Sequence, residues 1–209
     1  MKLNCGTQVL LSFAMVASLA LVTPQPACAA GAPMNTTNWN SARREANMMV
    51  PVEASLQRSL DARKDKPGAR FEAKLQNTAH LKNGPELPSG TTLIGKVTTD
   101  RMQSHGTSRL VLRFTEAKLR DGKMIPIRAT IMDVTQPESG FDIDAGTEAS
   151  DGWNGKTLQV DQIGALSGVD LHSRIGAKNS GVFVSTKKDN MKLSAGTQLT
   201  LAIAAKKAA

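Results

Sequence analysis

Residues 109–131, RLVLRFTEAKLRDGKMIPIRATI, decide the fold. Two runs in which apolar and polar side chains alternate stand on either side of Asp121-Gly122, where a glycine permits the positive φ of a tight turn. Alternation of this kind places the apolar set on one face of a strand. The stretch therefore predicts a β-hairpin with a single apolar face. That face comprises Leu110, Leu112 and Phe114 on the first strand, and Ile125, Ile127 and Ile131 on the second.

The same pattern continues on both sides of this hairpin. Short apolar runs separated by glycine-containing turns recur about every ten residues from position 68 onward, as in β-sandwiches and β-barrels. Seven or eight strands are enough for closure. We therefore expect a mainly β domain over residues 68–205, a single small β-barrel or sandwich of about seven to eight strands. The further runs are residues 71–81, 91–99, 157–163, 169–175, 181–186 and 198–205.

Two details refine this expectation. Pro126 has no N–H to donate, so its strand should be a sheet edge there or the residue should face away from its neighbour. Residues 87–93 and 193–199 both read L-x-x-G-T-x-L. We interpret the shared pattern as one turn used twice, in which glycine reverses the chain and the second leucine points into the core.

The segment before the barrel predicts one short amphipathic helix over residues 51–66. Val52, Leu56 and Leu60 recur at four-residue intervals, Pro51 suits a first helical turn, and Pro67-Gly68 would end the run. This stripe could pack on the barrel or on a partner. Residues 30–50 are polar without a sustained apolar period and predict a flexible N-terminus.

Residues 1–29 predict a signal peptide. The apolar run 9–22 is about 14 residues, shorter than the roughly 20 needed to span a bilayer, and small residues provide a cleavage site near Ala29 or Ala30. The alternatives are an uncleaved anchor and lipidation of Cys28, although Gln25 stands where lipidation signals carry an aliphatic residue. We expect a periplasmic or secreted protein with no membrane span after cleavage. Cleavage also removes both cysteines, Cys5 and Cys28, and with them any disulfide.

Residues that carry chemistry are sparse. His80, His105 and His172 are far apart, and the sequence contains no nucleophile elbow or phosphate-binding loop. We therefore expect no catalytic site, no metal site and no cofactor. Asp142, Asp144 and Glu148 could form a weak calcium site, but their spacing fits a calcium-binding loop poorly. The simpler interpretation is an acidic loop whose carboxylates are solvated.

Composition narrows the possible partners. The formal charge is +8, aromatic residues make up 3% of the chain, and tyrosine is absent. An exported chain without interleaved aromatic side chains is a poor candidate for a nucleic-acid partner. Its dispersed basic residues could give a weak attraction to anionic envelope surfaces.

Several landmarks resemble one known family. Residues 87–97, LPSGTTLIGKV, are followed by the basic, apolar strand 108–114 and by the Asp121-Gly122 hairpin. This order is similar to the C-terminal β-barrel of the TrbI family, the outer-core scaffold subunits of type IV secretion and conjugation channels. The resemblance covers residues 68–205 in outline and is strongest over 87–127. It implies a barrel with a non-enzymatic scaffold or binding role in the cell envelope.

Two functions are consistent with these observations. The first is an exported, non-enzymatic β-barrel that acts as an envelope scaffold or binding module, with envelope proteins or itself as partner. The second is an exported enzyme or ligand-binding barrel that acts on a cell-wall or extracellular component; a cleft that brings Asp142 or Asp144 beside His172 would favour it. The candidate partner-binding residues are Trp39, Val52, Leu56, Leu60 and Trp153, because tryptophan and exposed apolar stripes commonly carry binding energy.

Overall fold

A computed structural model describes residues 36–99, 107–137, 156–187 and 190–206. Within these ranges the chain forms helix α1 (Thr36–Met48) and thirteen strands. The strands are β1 (Val50–Leu56), β2 (Leu60–Asp61), β3 (Arg70–Leu75), β4 (Ala79–His80), β5 (Glu86–Leu87), β6 (Thr92–Thr99), β7 (Arg109–Lys118), β8 (Met124–Thr135), β9 (Gln159–Leu166), β10 (Val169–Arg174), β11 (Gly181–Ser185), β12 (Lys192–Leu193) and β13 (Gln198–Ala205).

Six of these strands close into an antiparallel barrel in the order β1-β3-β6-β7-β8-β13. Closure depends on the pairing of β1 with β13, whose register runs from Val50↔Ile203 to Ser55↔Gln198. Strands β11, β10 and β9 extend the sheet from β7, and the pairs β2–β12 and β4–β5 form two small additional sheets. The expectation of a mainly β domain built around a small barrel is confirmed.

The decisive hairpin forms as the sequence predicts. All six of its apolar residues are buried in one cluster that fills the barrel, and Phe114 is 2% exposed. The ring of Phe114 meets that of Phe71 edge-on, with centroids 5.0 Å apart and an interplanar angle of 71°. Edge-to-face packing of this kind adds to the stabilisation that burial of the rings already gives. Alternation in the sequence therefore identified the core face correctly.

The two strands of the hairpin separate after only three residue pairs. Their ladder ends at Glu116↔Pro126. Pro126 is not on a sheet edge, because its carbonyl accepts a hydrogen bond from the N–H of Lys206, at the end of β13. Beyond this point β7 pairs instead with β11, from Gly181↔Leu112 onward. A residue without an N–H thus stands where the β7–β8 ladder stops.

Ser180 bridges the opening between β7 and β8. Its N–H donates to the carbonyl of Leu112 (2.8 Å) and its carbonyl accepts from the N–H of Ile131 (2.7 Å). Its Oγ accepts from the N–H of Phe114 (3.0 Å). One buried residue therefore satisfies backbone groups that the separated strands would otherwise leave unpaired.

The prediction of a helix over residues 51–66 is wrong. Residues 50–56 form β1, in which Val52, Ala54 and Leu56 are buried and alternate with less buried residues. An interval of four residues is a multiple of the strand period of two, so Val52, Leu56 and Leu60 satisfy both patterns. The short β2 and a turn follow where the helix was expected to continue.

Helix α1 lies in the segment that the sequence predicted to be flexible, so that prediction is wrong for residues 36–48. Ala42, Ala46 and Met49 pack against Ala202 and Ala204 on the outer face of β13. The spacing i, i+4, i+7 puts the three on one face of the helix and its C-terminal flank, and the small side chains let the helix approach the strand closely. Both faces of β13 are consequently buried.

The repeated L-x-x-G-T-x-L pattern is one turn used twice, as predicted. Gly90 and Gly196 have φ of +82° and +84°, a conformation that side chains disfavour. Thr91 Oγ1 donates to the carbonyl of Pro88 (2.7 Å), and Thr197 Oγ1 donates to that of Ser194 (2.8 Å). The leucines that follow, Leu93 and Leu199, are fully buried in the barrel.

Candidate binding groove

The structure places the residues predicted to bind a partner in different environments. Val52, Leu56 and Leu60 are buried in the barrel core, so they form no surface stripe and that prediction is wrong. Trp39 lies in the first turns of α1 and is 44% exposed. Trp153 and the calcium candidates Asp142, Asp144 and Glu148 lie outside the described residues, so their roles stay predictions.

A concavity lies at the end of the barrel where β13 terminates. It has a volume of about 880 Å³ and is open to solvent along one side. Its walls are the end of α1, the turn at residues 82–85, the β7–β8 hairpin and the last residues of β13. Four separate segments of the chain meet here, and we refer to this concavity as the groove.

The groove combines an apolar floor with a cationic rim. Met48, Met124 and Pro126 provide apolar surface, and Met124 is 42% exposed. Methionine side chains adapt to differently shaped ligands because they are unbranched and polarizable. The rim carries three ammonium groups, those of Lys82, Lys123 and Lys206, and none of the described lining residues is Asp or Glu.

Two contacts hold the 82–85 turn in place. Lys82 Nζ donates a hydrogen bond to the carbonyl of Asn47 (2.9 Å), which connects the turn to the end of α1. Gly84 lies so close to Ala205 that a Cβ at position 84 would be 2.8 Å from the alanine Cβ. The wall of the groove is therefore packed directly on β13.

A second, smaller concavity adjoins the groove at Lys206. It occupies about 150 Å³ at the opening between β7 and β8, and we refer to it as the notch. Arg113, Arg128, Lys178 and Lys206 line it, and the described lining residues include no carboxylate. Arg128 is paired with Glu45 of α1 at 2.5 Å, so its charge is balanced from outside the notch.

The neighbouring strands β9 and β10 bring His172 and Asp161 together. His172 Nδ1 lies 2.9 Å from Asp161 Oδ1, and both side chains are about half exposed beside a cavity of about 230 Å³. Ser173 is adjacent in sequence, but its hydroxyl donates to the carbonyl of Ile131 on β8 and is buried. The carboxylate of Asp161 can hold the imidazole of His172 in one orientation, while the hydroxyl of Ser173 is already engaged in a structural hydrogen bond.

Folding stabilises the ionised form of the Asp161 carboxyl. The pKa of this carboxyl is lowered, first by the hydrogen bond to His172 and then by the bond from Gln159, while burial acts in the opposite direction. A lowered folded pKa gives stability that is present above the ordinary value of about 3.9 and is lost as pH falls through the folded value.

We expect His172→Ala to raise the pKa of Asp161 toward its ordinary value, as measured by carbon-detected NMR titration of the carboxyl. His80→Ala removes a histidine remote from Asp161 and is the matched control, so it should leave this titration unchanged. An unchanged titration in His172→Ala would contradict the hydrogen bond as the main cause.

Asp61 is part of a cluster of hydrogen bonds and charges at the end of the barrel opposite the groove. Burial raises its pKa, but the hydrogen bond from Asn190, the N–H of Arg63 and the charges of Lys192 and Lys64 together lower it below the ordinary value. These bonds fix the pairing of β2 with β12. Within the described residues, no group of three or more His, Cys, Asp or Glu could hold a metal ion.

Sequence reasoning missed the groove because its parts are far apart along the chain. Lys82, Lys123 and Lys206 belong to three different segments, and each lies in a turn or next to a strand end. The predicted Asp121-Gly122 turn stands immediately before Lys123, but nothing local indicates which turn lies beside the end of β13. The His172–Asp161 pair is likewise produced by the antiparallel register of β9 and β10.

Comparison with known proteins identifies no family. No protein-family model matches the chain, and no curated protein matches it. Among solved structures, ComB10 of the Com type IV secretion system of Helicobacter pylori aligns with 74% of this chain and 85% of its own. The TM-score is 0.37 and the identity is 10%, so the similarity is remote. In the part of the chain that the structure describes, no helix has the length and apolarity required to span a bilayer.

Proposed function

We propose that this chain is an exported, non-enzymatic β-barrel that acts as a binding or scaffold module of the cell envelope. Export is supported by the apolar run at residues 9–22 and the small residues near Ala29 and Ala30. The proposed partners are envelope proteins or a second copy of the chain. A scaffold role of the kind found in type IV secretion channels is the finer proposal, supported by the TrbI-like motifs over residues 87–127.

The groove is the observation that carries this proposal. It combines concave shape, exposed apolar surface and unbalanced charge, which are features of a ligand-binding surface. Trp39 provides a second exposed contact on α1, and tryptophan is the residue type most often found to dominate binding energy. Neither feature needs a nucleophile, a metal or a cofactor.

Site-specific photocrosslinking in intact envelopes tests the binding function. We expect a photoreactive residue at position 39 or 124 to form defined adducts, and the same residue at Gln57 to form none. Gln57 is exposed but lies at the opposite end of the barrel, next to the end of β1. The intact mass of the recovered protein reports cleavage after Ala29 or Ala30 in the same sample.

The alternative function is that of an exported enzyme acting on a cell-wall or extracellular component. The His172–Asp161 pair beside its cavity is the observation that favours it. If no adduct forms at positions 39 and 124, and the purified protein turns over wall fragments with activity lost in His172→Ala, the enzyme replaces the binding module.

A further inference from the structure

The groove and the notch are adjacent, because Lys206 lines both, and basic residues line each of them. We refer to the ammonium and guanidinium groups of Lys82, Lys123, Lys206, Arg113 and Lys178 as the basic stripe. Lys82, Lys123 and Lys206 stand around the groove, while Arg113 and Lys178 stand around the notch. The stripe therefore runs across two adjacent concavities.

The stripe has an excess of positive charge at short range. None of its five members belongs to an ion pair among the described residues, whereas the neighbouring Arg128 is paired with Glu45. Like charges gathered on one surface raise the electrostatic potential there and attract anions of matching extent. A ligand that brings several negative charges would remove this imbalance.

The shape of the surface limits the class of anion. A volume of about 880 Å³ above an apolar floor accommodates several side chains, which is more than a single inorganic oxyanion fills. Charges on both sides of Lys206 require a ligand whose negative groups are spaced along its length. Such a ligand combines apolar groups for Met48 and Met124 with repeated anionic groups for the stripe.

We propose that the groove and the notch bind an acidic polypeptide segment of a partner protein. The segment lies in extended form, with apolar side chains on the methionine floor and carboxylates against the basic stripe. This inference rests on the proposed function, because it names the partner class of the same binding surface. A phospholipid headgroup concentrates its charge at one point and matches the length of the stripe less well.

Fluorescence anisotropy of the purified protein with synthetic peptides tests the proposal. The probe is a twelve-residue peptide in which Glu and Asp alternate with Leu, and the matched probe carries Lys at the acidic positions. We expect binding of the acidic peptide only, with affinity that falls as salt rises, because surface charge pairs are screened.

Reversing the charge of two residues of the basic stripe tests whether the stripe is the site that binds the acidic peptide. The double variant Lys123→Glu with Lys206→Glu should weaken binding of the acidic peptide at least tenfold and should gain binding of the basic peptide. The control is Lys66→Glu with Lys187→Glu, which makes the same change in net charge away from the groove. It should change the affinity less than twofold.

Three results would overturn the proposal. They are no binding of the acidic peptide; an equal loss in the control variant; and stripe-dependent binding of phosphatidylglycerol vesicles without binding of the peptide. Concentration-dependent self-association that a peptide of residues 138–155 abolishes would instead support the proposal and make a second copy the source of the segment, since these residues carry five carboxylates and no base. Envelope adducts at position 39 together with any of the three contrary results would leave the binding function standing and remove only the acidic-segment proposal.

Discussion

Replacing Phe114 with alanine is expected to lower the free energy of unfolding by about 3–5 kcal/mol. The ring is 2% exposed, lies inside the barrel and packs edge-on against Phe71, so the substitution removes buried apolar surface and leaves a cavity. Chemical denaturation followed by circular dichroism measures the loss as a shift of the unfolding midpoint. A barrel closed by long-range pairing has little freedom to collapse around that cavity.

Arg113→Ala is the matched control for this experiment. Arg113 is the preceding residue on the same strand, but its side chain points outward and is exposed. A surface substitution of this kind usually changes stability by less than about 0.5 kcal/mol. Equal shifts in the two variants would show that the faces of β7 are assigned incorrectly.

The second large effect is expected at Gly95, where the barrel has no room for a side chain. A Cβ at this position would lie 2.3 Å from Cζ of Phe71, which is well inside van der Waals contact. Gly95→Ala must therefore displace a buried ring that also packs on Phe114. We expect a loss of about 1–3 kcal/mol in the free energy of unfolding, measured by the same denaturation experiment.

A double-mutant cycle distinguishes a steric clash between the new methyl group and the ring of Phe71 from an effect of the substitution on backbone conformational entropy. Phe71→Leu alone should destabilise the protein because it removes buried ring surface. In the Gly95→Ala background the same substitution should cost less, since the smaller side chain makes room for the new methyl group. Strict additivity of the two substitutions would contradict a steric conflict between them.

The barrel could be predicted because its strands carry their signal locally. Leu110, Leu112 and Phe114 alternate over a run long enough to exclude a helical period, and Asp121-Gly122 marks the turn that follows. The paired L-x-x-G-T-x-L turns worked for the same reason, since the positive φ of Gly90 and Gly196 is a local requirement. Features of this kind are visible within about ten residues of sequence.

The helix prediction over residues 51–66 is wrong because the spacing of its apolar residues fits both the helical period and the strand period. The four-residue spacing of Val52, Leu56 and Leu60 fits a helix and a strand equally, and the pairing of β1 with β13 decides between them. Helix α1 was missed because its packing face is made of Ala42 and Ala46, which contribute little to an apolar pattern. Their partners, Ala202 and Ala204, lie about 160 residues away.

The candidate site was predictable only in part. Trp39 is exposed on α1 and its binding role stays a prediction, whereas the groove arises from the barrel topology. The last strand brings Lys206 beside the hairpin that contains Lys123, and the 82–85 turn packs on the same strand. No spacing along the chain encodes this meeting of separate segments.

The position of β13 has a consequence for the order in which the molecule is built. This strand is the last in sequence, yet it lies between β1, the first strand, and β8. Residues 1–197 contain the five other strands of the barrel, β1, β3, β6, β7 and β8, and a sheet formed by these five alone has two open edges. Contacts between residues about 150 positions apart form slowly, because a long loop must close before they contribute. The barrel therefore closes only when residues 198–205 have joined the sheet, and a chain truncated before Gln198 would expose both edges to other chains.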